Sequence, residues 1–232
     1  MDQDLQLLLE STKGRGAFYE YLSLVFSRPP DESFKGISAK VYPFIEAYAN
    51  ETGNGLIADG VKDLAEYIHI EKESDEMMIL DMLNNQYTNL FLLGMNSIPP
   101  MESVFLSPDH LIKQEPWEKV MAYYHIRGFK KPPFFKETED HISMELLFMS
   151  QMCELAVRLP EEGDTQGIWD VFKEQLVFLD EHMLKWVPKL AEAITAKQIS
   201  CDIPLYKAAT KILNGFLGED RRFLQELVSI RD

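Results

Sequence analysis

The stretch "ETEDHISMELLFM", residues 137–149, places three acids and a histidine directly before an apolar pattern of helical spacing. On a helical wheel of about 100° per residue, Ile142, Leu146 and Met149 share one face, which predicts an amphipathic helix. His141 and Glu145 fall inside the same apolar arc. A carboxylate there loses hydration worth several kcal/mol unless charge-assisted hydrogen bonds replace it, so we expect a cationic partner nearby, from the chain or from a ligand.

The acids have two simpler interpretations. Acids are favoured at a helix N-terminus, and Glu145 could pair with His141 one turn earlier.

Three carboxylates and a histidine also form the ligand set of di-iron bundles, but such sites use Glu-x-x-His on two helices. Here the spacings are Glu137-x-x-x-His141 and His141-x-x-x-Glu145. We therefore predict no metal and no cofactor.

Helical periodicity extends over nearly every long segment, and alternating β-branched runs are nearly absent, which predicts an all-α bundle of about ten helices. We expect a helix over Glu139–Leu159, a kink or restart at Pro188, and two short helices over 205–217 and 219–230. We expect Gly94 to end the fourth helix.

Two irregular stretches divide the predicted bundle. "GMNSIPPMESVFLSPDHL", residues 94–111, is a proline-bearing loop, and "RGFKKPPFFK", residues 127–136, is a second irregular connection. We predict an N-terminal helix group over 1–126, a hinge over 127–137 and a C-terminal helix group over 138–232, all within one compact all-α domain.

Composition narrows the function. A net charge of −15 opposes binding to nucleic acid or anionic membranes and favours basic partners. Cys153 and Cys201 lack CxxC spacing, the N-terminus lacks the features of a secretory signal, and no apolar run is long enough to span a bilayer. We therefore expect a cytoplasmic location without stable membrane insertion. No nucleophile elbow, P-loop or dinucleotide fingerprint occurs, so we predict no catalytic residues.

Four motifs in order carry a resemblance to a known family. They are Arg15-x-x-x-Tyr19-x-x-Leu22-x-x-x-Phe26, Tyr87-x-x-Leu90-Phe91-x-x-Gly94 followed by "PPMESVF" at 99–105, Glu137-x-x-Asp140-His141, and "HMLKWVPKL" at 182–190. The chain resembles the TorD/DmsD family of cytoplasmic redox-enzyme maturation chaperones, with NarJ-type proteins as more distant relatives. It departs from the family pattern at Thr138, where proline is usual, and at Met101, where many members carry an aromatic residue.

The resemblance implies a binding function. Family members bind the twin-arginine signal peptide, and often the folded body, of a molybdopterin oxidoreductase, and they delay export until the cofactor is inserted. The implied arginine receptors are Glu137, Asp140 and Glu102, with Glu145 beside them. The implied groove for the apolar part of the peptide is formed by Tyr87, Phe91, Phe105, Phe148 and Trp186. His141 would be a structural or pH-sensitive link between helix groups.

Alternatives remain open at this point. An assembly scaffold would bind only the mature redox subunit, and a metal or nucleotide enzyme would show bound metal or turnover. The family includes monomers and domain-swapped dimers, and residues 126–136 could serve as the swap hinge. We expect Asp140→Asn to weaken peptide binding with little change in thermal stability, whereas an equal loss of folding would indicate that Asp140 is a capping residue.

Overall fold

A computed structural model describes residues 3–93, 96–160, 162–198 and 203–230. The described residues form ten α-helices and no β-strand, which confirms the all-α prediction. The helices are α1 Gln3–Ser27, α2 Ile37–Thr52, α3 Gly55–Glu73, α4 Glu76–Tyr87, α5 Glu102–Leu106, α6 Glu115–Arg127, α7 Ile142–Arg158, α8 Gly167–Phe178, α9 Leu184–Ala196 and α10 Leu205–Ser229. A 3₁₀ turn spans Glu32–Phe34, and π-helical turns span Thr88–Leu92 and Leu179–Met183.

Two helix boundaries differ from the sequence predictions. The two short helices expected after residue 205 are one continuous helix, α10. Gly218 lies within it with open space around the position of a Cβ, and one glycine costs an otherwise good helix only about 1 kcal/mol. The restart expected at Pro188 instead follows the π-helical turn at Leu179–Met183, so Pro188 lies inside α9.

The helices form two compact units, and each unit combines segments that are distant in sequence. Unit 1 contains Met1–Ser27, Met101–Trp186 and Asp220–Asp232, and unit 2 contains Arg28–Pro100 and Val187–Glu219. The sequence-based groups followed chain order, whereas these units do not. The hinge role of residues 127–137 stays a prediction.

Unit 1 is organised around the packing of α1 on α7. Tyr19, Leu22 and Phe26 of α1 are fully buried. A Cβ at Gly16 would lie 3.1 Å from Cys153 Cβ, so a glycine allows the two helices to approach closely. Near the other end of α1, Ser23 Oγ donates a hydrogen bond of 2.7 Å to the carbonyl oxygen of Ser143.

Unit 2 packs α3 against the first half of α10. A Cβ at Gly60 would meet Ile212 Cγ1 at 2.6 Å, and a Cβ at Gly215 would meet Ile57 Cγ1 at 2.5 Å. Asn54 caps α3 by accepting hydrogen bonds from two backbone N–H groups, and its amide donates to Glu219 Oε1 at 2.8 Å. Glycines at positions 60 and 215 therefore allow α3 and α10 to pack closely, each against an isoleucine side chain of the other helix.

Two residues with sequence-based assignments, Gly94 and Cys201, lie outside the described residues. Among the described residues, no helix combines the length and the apolar character needed to cross a lipid bilayer.

Candidate functional site

The turn before α7 pairs with the start of α5. Met101 and His141 form an isolated antiparallel bridge, and Glu102 N donates to the Asp140 carbonyl oxygen at 2.9 Å. The Asp140 carboxylate accepts two further bonds, from Ser103 N at 2.9 Å and from Thr138 Oγ1 at 2.6 Å. Asp140 is fully buried and thus acts as a cap for α5, a helix in a different part of the chain.

His141 is the N-cap of α7 and so lies one position before the helix begins. The sequence analysis had placed it inside the predicted helix Glu139–Leu159. Its Nδ1 accepts a bond of 3.1 Å from Ser143 N, and its ring packs edge-on against Phe135 at 5.1 Å. Burial lowers the pKa of His141 to about 3. The ring is therefore neutral at physiological pH, which favours the structural role over the pH-sensitive one.

Glu102, at the first position of α5, pairs with His182 in the π-helical turn. His182 Nδ1 lies 2.9 Å and 3.1 Å from the two carboxylate oxygens, and both side chains are buried. The rings of Phe178 and Tyr123 enclose the imidazole at 4.9 Å and 5.4 Å. Burial raises the pKa of Glu102, and the bond to His182 opposes that shift.

Glu145 is fully buried on α7 and is held by a neutral donor. Trp186 Nε1 donates to Glu145 Oε2 at 3.1 Å, and the carboxyl groups of Glu145 and Glu102 share a hydrogen bond that favours a proton on Glu145. No ion pair to Glu145 occurs within the described ranges, so the expected cationic partner is not among these residues, and its supply by a ligand stays a prediction. Burial and the negative charge of Glu102 instead raise the pKa of Glu145 well above its usual range, and the carboxyl is accommodated by protonation.

The remaining predicted residues divide between the two units. Phe105 stacks against Trp186 at 5.5 Å, and Phe148 packs against Tyr124 and Phe178, all within unit 1. In unit 2, Tyr87 and Phe91 pack against each other and against Tyr206.

Glu137 is not part of the buried acid group formed by Glu102, Asp140 and Glu145, hereafter the acid cluster. Glu137 is partly exposed, and its carbonyl oxygen accepts a bond of 2.6 Å from Lys131 Nζ. Lys131 also pairs with Glu139 at 3.0 Å. These bonds anchor the segment predicted as a hinge, together with Phe129, which packs on Tyr124 at 4.5 Å.

Sequence reasoning missed three partners of the cluster. The sequence analysis gave no individual role to His182, to Ser103 or to the Thr138 hydroxyl. The available signal for Ser103 was its place after Glu102 at a helix start, where an unpaired N–H needs an acceptor. His182 lies 80 residues from Glu102, so local spacing could not reveal that pair.

A second buried polar group, missed in the sequence, lies elsewhere in unit 1. Arg15 on α1 donates to both carboxylate oxygens of Asp220 on α10, at 2.9 Å for Nη2, and to Gln175 Oε1 at 2.6 Å. Tyr19 OH donates to the same Asp220 carboxylate at 2.6 Å. The group joins α1, α8 and α10 and has a structural role.

In chemical terms, the acid cluster gathers three buried carboxyl groups next to aromatic surface, and two of them, Glu102 and Glu145, share a hydrogen bond. Within the part of the chain that the structure describes, no group of three or more His, Cys, Asp or Glu side chains is arranged to hold a metal ion. The arrangement is suited to binding a cationic group in an apolar surrounding.

Comparison with known proteins gives relatives over nearly the whole chain. The chaperone protein TorD of Vibrio cholerae serotype O1 is 26% identical over 231 residues, which is 98% of each chain. The chaperone protein TorD of Psychrobacter sp. is 23% identical over 214 residues, which is 92% of each chain. A crystal structure of a proposed redox enzyme maturation protein from Archaeoglobus fulgidus aligns over 91% of this chain and 93% of its own, with 20% identity and a TM-score of 0.44.

These relatives place the chain in the class of chaperones rather than enzymes. More specifically, the chain belongs to the nitrate reductase delta subunit family, whose model matches residues 54–192. The family resemblance inferred from the four motifs is confirmed.

Proposed function

We propose that this protein is a cytoplasmic maturation chaperone that binds the twin-arginine signal peptide and the apo form of a molybdopterin oxidoreductase. It would aid insertion of the cofactor and prevent premature export through the twin-arginine pathway. The observation that carries the proposal is the acid cluster, three buried carboxyl groups among which Glu145 has no cationic partner in the described residues.

The chemistry of the cluster fits an arginine pair. A guanidinium is planar, always charged and able to form two parallel bonds to a carboxylate. A buried carboxyl group beside an apolar surface gains more from such a donor than an exposed one does, because burial has already removed its water. Phe105 and Trp186, stacked at 5.5 Å, supply aromatic surface next to Glu102 and Glu145.

Access to the cluster requires a local opening, because Glu102, Asp140 and Glu145 are all at most 1% exposed. The short helix α5 is the element expected to move. It contains five residues, and its start is held by the bonds from Glu102 N and Ser103 N to Asp140. Elements of this size open at low cost compared with a whole domain.

Calorimetric titration with a twin-arginine signal peptide, compared with its twin-lysine version, tests the proposal. We expect preference for arginine and an affinity that falls as salt rises. Glu102→Gln should weaken the affinity for the arginine peptide, whereas Glu154→Gln, at an exposed position of α7, should leave it unchanged.

Binding of the whole redox subunit without any binding of the isolated peptide would contradict this proposal. That outcome would favour the scaffold function.

Size-exclusion chromatography with light scattering determines whether the chain is a monomer or a domain-swapped dimer. We expect a monomer, because Lys131 and Phe129 anchor the proposed swap segment within unit 1.

A further inference from the structure

The loop between α5 and α6, residues 107–114, holds two apolar side chains in solvent. Leu111 is 57% exposed and Ile112 is 49% exposed. They are bracketed by His110 with φ of 53° and Lys113 with φ of 55°. No other non-glycine residue of the described ranges has positive φ. Residues with a Cβ rarely adopt this left-handed conformation, so the backbone is strained at the two positions that flank the exposed Leu111 and Ile112.

The conformation is held by α5. His110 Nδ1 lies 2.8 Å from the Val104 carbonyl oxygen, and Ser103 Oγ accepts a bond of 3.3 Å from Gln114 N. The His110 amide donates to the Ser107 carbonyl oxygen at 3.2 Å. A loop tied at both ends in this way is preorganised, which lowers the conformational entropy lost when a partner binds its apolar residues.

Ser103 connects this loop to the acid cluster. Its backbone N–H donates to Asp140 Oδ2 at 2.9 Å, while its hydroxyl accepts from Gln114 N. The loop and the acid cluster therefore lie at opposite ends of the five-residue helix α5, within unit 1. A ligand that contacts Glu102 or Asp140 and continues along α5 reaches the loop.

We propose that Leu111 and Ile112 form the docking surface for the apolar stretch that follows the arginine pair of the client signal peptide. This inference rests on the proposed function and assigns the contact for the second half of the ligand. Charge supports the choice of occupant, since residues 107–119 contain Asp109, Glu115 and Glu118 against Lys113 and Lys119, and the Lys119–Glu115 pair at 2.9 Å leaves Asp109 and Glu118 outside it. An apolar segment with basic residues at one end is complementary to this surface.

The test is titration of the signal peptide into the full chain and into Leu111→Ser/Ile112→Ser. Both positions are exposed, so we expect an unchanged thermal midpoint and a dissociation constant raised about tenfold through lost apolar burial. The matched control is Met77→Ser/Met78→Ser, which removes apolar side chains that are 73% and 57% exposed at the start of α4. This control should bind like the parent chain, and Leu111→Met/Ile112→Leu should restore binding.

A second peptide, with serines replacing its apolar stretch, completes a double-mutant cycle. The loop variant and the parent chain should bind this serine-substituted peptide with equal affinity. An equal loss with both peptides would overturn the inference, as would an unchanged affinity of the loop variant for the natural peptide, and the proposed function would stand in either case. Failure of the parent chain to bind either peptide would overturn both proposals.

Discussion

Trp186 donates its indole N–H to Glu145 Oε2 at 3.1 Å, and both side chains are completely buried. The bond joins the first turn of α9 to α7 within unit 1. It satisfies one carboxyl oxygen, and the carboxyl group also shares a hydrogen bond with that of Glu102. Because no cation compensates the group, the protein accommodates Glu145 in its neutral form, and this makes the residue sensitive to pH.

Glu145→Gln should stabilise the folded chain at neutral pH. Burial raises the folded-state pKa of Glu145 well above its usual range, so its favourable contribution is complete below the unfolded pKa of about 4.3 and is lost as pH rises toward the folded value. A neutral amide avoids this loss. Urea unfolding from pH 5 to pH 8 should show a gain of about 1–3 kcal/mol at the upper end.

The exposed Glu154, on the same helix, provides the control. Glu154→Gln should leave both the stability and its pH dependence unchanged. If Glu145→Gln follows the same pH profile as the parent chain, then Glu145 is ionised in the folded state and the protonation argument is wrong.

Asp140→Asn should lower the stability of unit 1, in contrast to the sequence-based expectation of an unchanged midpoint. The carboxylate accepts bonds from Ser103 N and Thr138 Oγ1, and an amide presents only one oxygen to these two donors. We expect a loss of about 1–2 kcal/mol in chemical unfolding.

Peptide titration of Asp140→Asn under folded conditions then separates the two roles of Asp140. A loss of affinity that exceeds the loss of stability would indicate direct contact with the ligand. Full stability would show that the cap is dispensable and would return Asp140 to a binding role alone.

The sequence predicted the helices and not the polar partners, for a physical reason. Helical periodicity is local, so α7, expected over Glu139–Leu159 and observed over Ile142–Arg158, could be placed to within a few residues. The continuity of α10 was missed because the turn propensity of Gly218 was given more weight than tertiary packing. The partners of Glu145 and Glu102 lie 41 and 80 residues away, and no spacing rule links such positions.

The same limit applies to Arg15. Its position in the first motif was evident, but Asp220 lies 205 residues further along the chain. For the acid cluster, the helical wheel correctly placed the Glu145 carboxyl on the apolar face of α7. Composition could not indicate that protonation, rather than a cation, would stabilise one of them.

Asp220→Ala should cost about 3–5 kcal/mol, since it leaves the buried Arg15 guanidinium without its carboxylate. The control is the ion pair between Arg221, the next residue of α10, and Asp180, whose side chains are 39% and 36% exposed. Asp180→Ala should cost no more than about 1 kcal/mol. Guanidinium chloride unfolding of both variants measures the difference, and equal losses would show that the Arg15 group is already hydrated.

Two glycines in helix interiors should respond to alanine with opposite signs. At Gly14 in α1, no atom lies within 4 Å of the position of a Cβ, so Gly14→Ala should stabilise the chain by about 1 kcal/mol through helix propensity. At Gly60 in α3, the added Cβ would lie 2.6 Å from Ile212 Cγ1 and 3.0 Å from the Ala208 carbonyl oxygen. The α3–α10 packing must then separate, at a cost of about 1–3 kcal/mol. Thermal unfolding of both variants is the measurement, and a gain at Gly60 would mean that α10 yields without loss, contrary to the close packing of unit 2.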